Sequence, residues 1–223
     1  EGGSKQIETH FYVLKNLLEI LPRENLISFV QIGSSDEYGN NPAPQLEEQR
    51  EQSISPYSFS KLASTHFLQM LFRTENFPAV ILRLFLTYGP GQDKNRFLPH
   101  IIHGCLAKTS FPTSAGEQIR DFCFVDDTVS AIIQALTISN IKGQIFNVAS
   151  GVPVTIKDII EKVRIIVGSG NPIYGQIPYR SNENMNLYAN ISKAKKKLNW
   201  NPKIDLEKGL EETISWFKSR NDR

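Results

Sequence analysis

Hydrophobic positions along the chain follow two different periods, and their alternation predicts the order of helices and strands. Ile7, Leu14 and Leu18 belong to a stripe at helical spacing, which predicts a helix over 5–21 that ends near Pro22. Short apolar runs bounded by glycine or polar residues instead predict buried strands. The pattern predicts strands at 26–32, 79–85, 121–125 and 144–149, and helices at 5–21, 56–74, 97–108, 126–139, 155–167, 192–198 and 205–219.

The alternation of these elements indicates the fold class. The strands are apolar along most of their length, which is typical of a parallel sheet that helices cover on both faces. After Gly151 the strand signal fades and helices dominate, so we expect a second, smaller lobe. The sequence therefore predicts an α/β protein with a parallel sheet and a mainly helical second lobe.

Three residues mark predicted helix starts. Pro56 suits a first helical turn, because its missing N–H would have no partner there. Asp126 and Thr155 each precede an apolar periodic segment, and their side chains are expected to cap the helices that follow. Residues 168–190 are rich in Gly, Pro and Asn and predict a long loop, which is uncommon unless it is functional.

Composition excludes several classes of protein. The 223 residues are 40% apolar, and a net charge of +2 is too small to indicate a nucleic-acid or membrane partner. No apolar run approaches the length of a membrane span. Cys105 and Cys123 are isolated, which favours a reducing compartment and a cytoplasmic location. The four histidines form no ligand pattern, so no metal is expected.

A tyrosine and a lysine carry the strongest local signal for chemistry. Tyr57 and Lys61 lie four residues apart in the predicted helix 56–74, so they share one face. A nearby ammonium favours the phenolate and is expected to lower the tyrosine pKa toward a value useful in acid–base catalysis. The same spacing also arises by chance on helix surfaces, where it forms an ordinary exposed pair.

A polar segment follows the first predicted strand. Residues 33–39 read GSSDEYG, and the carboxyl end of a strand in an open parallel sheet is where such folds bind ligands. A hydroxyl from Ser34 or Ser35 is expected to lie beside Tyr57, and Ser35 is preferred because Asp36 and Glu37 then follow it directly. Taken alone, the segment also fits an ordinary strand-to-loop turn.

Together these segments resemble the extended short-chain dehydrogenase/reductase family, which contains NAD-dependent nucleotide-sugar epimerases, dehydratases and reductases. The matching segments occur in the family's order. They are GSSDEYG at 33–39, the Tyr57/Lys61 pair, RLFLTYGPGQ at 83–92, RDFCFVDD at 120–127, FNV at 146–148 and LNWNP at 198–202.

The resemblance implies an architecture and a set of partners. It implies a Rossmann-like parallel sheet, N-terminally truncated, formed by residues 1–87 and 119–150. Residues 88–118 and 151–223 would form the smaller substrate-binding lobe. NAD or NADP is the implied cofactor, a nucleotide-diphosphate sugar is the implied substrate, and a homodimer is expected through helices 5–21 and 56–74.

The resemblance also implies roles for single residues. Tyr57 would transfer the proton at the sugar C4 oxygen, with Lys61 tuning it and holding the nicotinamide ribose. Ser35 or Ser34 would assist, and the acidic residues Asp36 and Glu37 resemble the pair with which dehydratases remove water. Ser34 and Leu86 would also border the cofactor, while Tyr88, Arg120, Asn147 and Arg180 would bind the substrate, the two arginines at its diphosphate.

Some family features are absent from the sequence. No glycine-rich phosphate-binding turn follows a strand, so we expect that this chain does not hold NAD(P) normally. Leu86 and Asn190 replace the asparagine and the aspartate that are usual at their positions. Epimerase, 4,6-dehydratase and 4-ketosugar reductase remain open. So do two alternatives without turnover, a nucleotide-sugar-binding module and a structural subunit.

Overall fold

A three-stranded parallel sheet forms the first layer of the protein in the computed structural model, which describes residues 3–221. β1 (Phe29–Ser34) pairs with β2 (Ala79–Leu84), and β2 pairs on its other side with β6 (Ile145–Val148). Within the described part of the chain, β1 pairs with β2 alone and is therefore an edge strand. The predicted parallel sheet is confirmed.

A second sheet lies beside the first. It includes the strand predicted at 121–125, which the sequence pattern assigns to the first sheet. β3 (Leu86–Tyr88) pairs in parallel with β5 (Ile119–Phe124), which also pairs with β7 (Pro153–Thr155) and β9 (Asn186–Leu187). Hydrogen bonding thus joins β5 to strands of both predicted lobes, while the lobe boundaries themselves stay a prediction. A further small pair consists of β4 (Ser110–Pro112) and β8 (Asn171–Ile173).

The helices agree closely with the predicted segments. The first one is interrupted, because a π-helical turn at Glu8–Tyr12 separates its two α-helical parts. The helices are α1 (Ser4–Ile7), α2 (Val13–Ile20), α3 (Pro56–Glu75), α4 (Phe97–Leu106), α5 (Val125–Thr137), α6 (Ile156–Val167), α7 (Ser192–Lys197) and α8 (Leu206–Asn221).

Helices cover both faces of β2, as the apolar strand pattern predicts. Successive side chains of a strand point to opposite faces. Ile81 packs in a core with Leu68 of α3, while its neighbour Leu82 packs in another core with Ala131 of α5. This two-sided burial explains why β2 lacks the alternation of a half-exposed strand.

Helix α3 begins at a well-formed cap, and this fixes the position of Tyr57. The Ser55 hydroxyl accepts a hydrogen bond from the Ser58 amide at 3.1 Å, and the Ser58 hydroxyl accepts one from the Ser55 amide at 3.0 Å. Pro56 occupies the first turn, as predicted. Tyr57 therefore lies in the first turn of the helix, and Lys61 follows one turn later on the same side.

The two other predicted caps have different outcomes. Thr155 caps α6, since its hydroxyl accepts a hydrogen bond from the Asp158 amide at 3.0 Å. The prediction for Asp126 is wrong, because α5 begins one residue earlier and Asp126 is an exposed first-turn residue. Its neighbour Asp127 is instead buried, and its carboxylate accepts the Lys203 and Ile204 amides at 2.9 Å each.

Candidate active site

A cleft opens at the carboxyl ends of β1 and β2. Its central cavity, of about 840 Å³, is lined by Ser34 from the end of β1, by Tyr57 and Lys61 from α3, and by Leu86 from β3. Parallel strands bring their carboxyl ends to one edge of the sheet, and open α/β sheets bind ligands there. The structure thus brings together residues that lie up to 52 positions apart, from Ser34 to Leu86.

Tyr57 and Lys61 share the cavity, but the lysine does not lower the tyrosine pKa as predicted. Burial raises the pKa of Tyr57, and a hydrogen bond with the Ser34 side chain opposes that rise. The Lys61 ammonium lies 6.0 Å from the Tyr57 ring centre and donates to the Ile32 carbonyl at 3.1 Å. Burial in turn lowers the pKa of Lys61. The phenol is therefore protonated at neutral pH.

His10 contacts Tyr57 from outside the cavity, and the sequence analysis missed it. The two rings meet edge to face with their centres 5.1 Å apart. Burial, followed by the Lys61 charge, lowers the pKa of His10, so the imidazole is neutral at pH 7. His10 lies in the π-helical turn, which the hydrophobic pattern does not distinguish from ordinary helix.

The structure distinguishes the two candidate serines. Ser34 accepts a hydrogen bond from the Asp36 amide at 3.2 Å, and its side chain lines the same cavity as Tyr57, where it opposes the rise in the pKa of the phenol. Ser35 also lines the cavity and is buried, yet it has no such effect on Tyr57. The influence on Tyr57 favours Ser34, the last residue of β1, over the preferred Ser35.

The acidic neighbours Asp36 and Glu37 point in different directions. Asp36 lines the cleft, where loss of hydration raises the pKa of its carboxyl against the opposing charges of Arg120 and Arg180. Glu37 is fully buried and forms an ion pair with Arg83 at 2.8 Å. Glu37 is therefore no acid–base group facing a ligand, and its prediction as a catalytic residue is corrected.

Two predicted substrate-binding residues are committed to the fold instead. Asn147 is fully buried, where it accepts a hydrogen bond from the Tyr38 hydroxyl at 2.6 Å and donates to the Gln45 carbonyl at 3.0 Å. Tyr88 borders the cavity, but its hydroxyl packs against Gly209 of α8. Neither polar group is free to contact a ligand, so both predictions are corrected.

The two predicted arginines lie together at the other end of the cleft. Arg120 and Arg180 line two further hollows, of about 380 Å³ and about 470 Å³, and Leu86 borders both of these as well as the central cavity. Arg120 is partly buried and forms an ion pair with Glu183, while Arg180 is exposed. The cleft therefore runs from a phenol and an ammonium to two guanidinium groups.

A buried amide in the central cavity lacks a partner. The Gln92 side chain donates to the Thr87 carbonyl at 3.0 Å, but its buried oxygen finds no donor among residues 3–221. A buried acceptor without a donor is costly unless a ligand satisfies it. This oxygen, together with Tyr57, Lys61 and the cavity volume, fits a ligand that carries hydrogen-bond donors, as a nicotinamide nucleotide does.

The described part of the chain has neither a cluster of metal-ligand side chains nor a membrane-spanning helix. Residues 3–221 contain no group of three His, Cys, Asp or Glu side chains arranged to hold a metal ion. None of the described helices is both long and apolar enough to cross a membrane. Cys105 and Cys123 are free thiols buried in the core.

The parallel sheet, the helices on both its faces and the order of the matching segments define an extended short-chain dehydrogenase/reductase of the nucleotide-sugar epimerase and dehydratase group. Residues 4–213 match the family model described as GDP-mannose 4,6 dehydratase. The chain belongs to that family.

Individual relatives support this assignment. The chain is 27% identical to an uncharacterized UDP-glucose epimerase of Bacillus subtilis, over 92% of this chain and 65% of the relative. A UDP-glucose 4-epimerase from Thermotoga maritima, solved with UDP-glucose, superposes with a TM-score of 0.90 at 26% identity, over 98% of this chain and 72% of that one. A UDP-glucuronic acid 4-epimerase from Bacillus cereus, solved with UDP-glucuronic acid and NAD, gives 0.85 at 27%, over 96% and 68%.

Proposed function

We propose that this chain supplies the catalytic side chains and the substrate cleft of an enzyme that modifies a nucleotide-diphosphate sugar at C4 with NAD or NADP. One observation carries the proposal: a single cleft leads from Ser34, Tyr57 and Lys61 to Arg120 and Arg180. The solved relatives include complexes with UDP-glucose and with UDP-glucuronic acid and NAD. The ends of this cleft match the two ends of such a substrate, a sugar and a diphosphate.

The diphosphate end of the cleft suits an anionic ligand. A planar guanidinium donates in pairs to phosphate oxygens, and two of them lie within the same hollows. Arg120 comes from β5 and Arg180 from the long loop before β9, so they approach a ligand from different elements. The long loop is thereby given the functional role that its length indicates.

The sugar end of the cleft suits proton transfer. A protonated Tyr57 phenol can donate to the oxygen of a 4-keto sugar, and the phenolate can take the proton from a 4-hydroxyl. Ser34 would hydrogen-bond the same sugar oxygen, and its influence on the Tyr57 pKa supports this role. Tyr57, Lys61 and Gln92 would hold a bound nicotinamide, which would supply the hydride exchange at C4.

Asp36 adds a further acid–base group. Its carboxyl lines both the central cavity and the hollow at the arginines, and burial raises its pKa. Such a group is positioned to move a second proton on the sugar, as the removal of water across C5 and C6 requires. Epimerisation, 4,6-dehydration and 4-keto reduction remain the alternatives, and product analysis separates them.

The experiment combines calorimetry with turnover. UDP-, GDP-, CDP- and dTDP-sugars are titrated into the intact gene product with and without NAD or NADP, and products are identified by mass spectrometry. We expect binding of one nucleotide-sugar class and a mass change, or a change of sugar configuration by NMR, that depends on the cofactor. Absence of nucleotide-sugar affinity in every combination would refute the proposal.

A nucleotide-sugar-binding module without turnover is the second candidate. It is favoured by the Lys61 ammonium, which is already bonded to the Ile32 carbonyl. The same calorimetry distinguishes the enzyme from the module. Nucleotide-sugar binding without NAD or NADP binding would favour the module, whereas cofactor binding by the protein would exclude it.

The homodimer expected from the family resemblance stays a proposal. Tyr12, Val13 and Leu17 on the first helices are exposed, as is Phe59 on α3. Exposed apolar side chains on neighbouring helices are typical of protein–protein contacts. Sedimentation analysis of the protein beside a Leu17→Glu variant tests this, since a dimer through these helices would dissociate in the variant.

A further inference from the structure

A fully buried carboxylate ties together the elements that carry the candidate site. Glu37 accepts three hydrogen bonds: Oε1 from the Ser34 amide at 2.9 Å, and Oε2 from the Thr65 hydroxyl and from Arg83 Nε, both at 2.8 Å. These donors belong to the end of β1, to α3 and to β2. One side chain therefore connects the strand that ends in Ser34 to the helix that carries Tyr57.

We propose that Glu37 is a positioning residue, which holds Ser34 beside Tyr57 in the cavity that both residues line. The carboxylate fixes Ser34 through its amide, while the Asp36 amide donates to the Ser34 hydroxyl at 3.2 Å. Hydrogen bonds thus hold both the backbone amide and the side-chain hydroxyl of Ser34. The benefit to turnover rests on the proposed function, but the effect on the contact between Ser34 and Tyr57 does not.

The three donors explain why a glutamate stands here. A carboxylate accepts at both oxygens, whereas a glutamine amide would turn an N–H₂ group toward at least one of these donors. An aspartate keeps the charge but is one methylene shorter, so it cannot reach Ser34 while it also bonds Arg83 and Thr65. No other side chain satisfies all three contacts.

Gly33 supplies an independent sign that the carboxylate position matters. A Cβ built on Gly33 would lie 2.6 Å from Glu37 Oε1 and 3.2 Å from Ile81 Cγ2. The backbone of Gly33 has no need of a left-handed conformation, so its lack of a side chain is explained by this close approach. The residue before Ser34 therefore makes room for the group that holds Ser34.

Arg83 balances the buried charge. Its guanidinium is fully buried between Glu37 and Glu51, and it lies 4.5 Å from the centre of the Tyr38 ring. Removing either carboxylate leaves Arg83 with one anionic partner fewer, which costs stability in both cases. Only Glu37 also contacts Ser34, so Glu51 provides a control of matched chemistry.

The first test measures Tyr57 and needs no turnover. Tyrosine is labelled at Cζ, and the titration of Tyr57 is followed by NMR from about pH 8 upward, with a Tyr57→Phe sample to assign the signal. Loss of the Ser34 hydrogen bond in Glu37→Asp is expected to raise the pKa of Tyr57 by about 0.5–1 unit. In a Ser34→Ala background, Glu37→Asp should produce no such rise.

A milder pair of variants guards against a failure to fold. Thr65→Val removes one of the three donors without changing the side-chain shape, and Thr65→Ser keeps that donor. We expect Thr65→Val to shift the Tyr57 titration in the same direction by a smaller amount, and Thr65→Ser to leave it unchanged. Equal titration of Tyr57 in Glu37→Asp, Thr65→Val and the parent would overturn the positioning role.

The second test measures turnover on the nucleotide sugar found by calorimetry. Misplacement of Ser34 in Glu37→Asp is expected to lower kcat about 10- to 100-fold with KM changed less than about threefold. Glu51→Asp, which shortens the other anionic partner of Arg83 in the same way, should keep kcat. An equal loss of kcat in both variants would assign Glu37 a merely structural role. A parent without turnover would refute the proposed function instead, and the Tyr57 titration would still decide the role of Glu37.

Discussion

Arg120 and Glu183 form an ion pair within the cleft, between β5 and the loop that precedes β9. The Arg120 side chain also donates to the Ile119 carbonyl at 2.9 Å, so its guanidinium is oriented by its own strand. A phosphate group that binds Arg120 must therefore compete with the Glu183 carboxylate. The pair keeps a partly buried cation satisfied until an anionic ligand replaces the carboxylate.

This competition predicts that Glu183→Gln strengthens nucleotide binding. Removal of the carboxylate frees Arg120 and removes a like charge from beside the phosphates, which should tighten nucleoside-diphosphate binding about fivefold. Isothermal calorimetry measures the change. Glu161→Gln is the control, because it breaks an exposed ion pair with Arg164 on α6, outside the cleft. Weaker binding in Glu183→Gln would contradict the competition.

Tyr57→Phe is expected to lower kcat by about 10²–10⁴-fold, because it deletes the hydroxyl that we propose transfers the proton while it removes little packing volume. Nucleotide-sugar affinity should stay within about threefold of the parent, as the two arginines proposed to bind the diphosphate lie at the other end of the cleft. Tyr12→Phe, at an exposed tyrosine, is the control. Turnover assays and calorimetry on both variants check this, and equal activity in Tyr57→Phe and the parent would refute the role of the phenol.

Asp127→Ala is expected to destabilise the protein by about 2–4 kcal/mol, because it leaves the partly buried amides of Lys203 and Ile204 without their two acceptors. The neighbouring Asp126→Ala should cost about 0.5 kcal/mol, since an exposed first-turn acid contributes only through the helix dipole. Urea denaturation of the two variants measures the difference. Similar losses of stability at the two positions would contradict it.

The buried thiols predict a loss of stability in alkali. Burial raises the pKa of Cys105 to about 11 and that of Cys123 to about 12, above the ordinary value of 9.0. The neutral thiols are favoured by folding, so their contribution is complete below pH 9 and is lost as pH rises through the folded pKa values. Calorimetry should show Tm falling above about pH 9, and less steeply in a Cys105→Ala/Cys123→Ala variant.

The thiols also provide a check at constant pH. Both side chains are buried and protonated at pH 8, so a thiol reagent should modify them only after the protein unfolds. Rapid modification of the folded protein at pH 8, or a Tm that does not change up to about pH 11, would contradict this account. Burial raises the pKa values of Tyr38 and Tyr88 as well. The stability that these neutral phenols contribute is therefore also lost as the pH rises further.

The sequence by itself determined the order of the elements and the first half of the site. Helix α3 begins where its proline predicts it, and the four-residue spacing places Tyr57 and Lys61 on one side. These features depend on interactions between residues that lie within about four positions of each other, and the sequence specifies such interactions directly. The resemblance of segments 33–39 and 83–92 to the family predicted that both segments border the ligand-binding cleft.

Only the tertiary structure decided what each polar group does. Ser34 rather than Ser35 influences the Tyr57 pKa, Glu37 turns into the core to meet Arg83, and Glu183 occupies Arg120. Arg83 is 46 positions from Glu37, and Glu183 is 63 positions from Arg120, so no local pattern records these pairs. Burial likewise reversed the expected direction of the Tyr57 pKa shift, because the cost of removing a phenolate from water outweighs an ammonium that is bonded elsewhere.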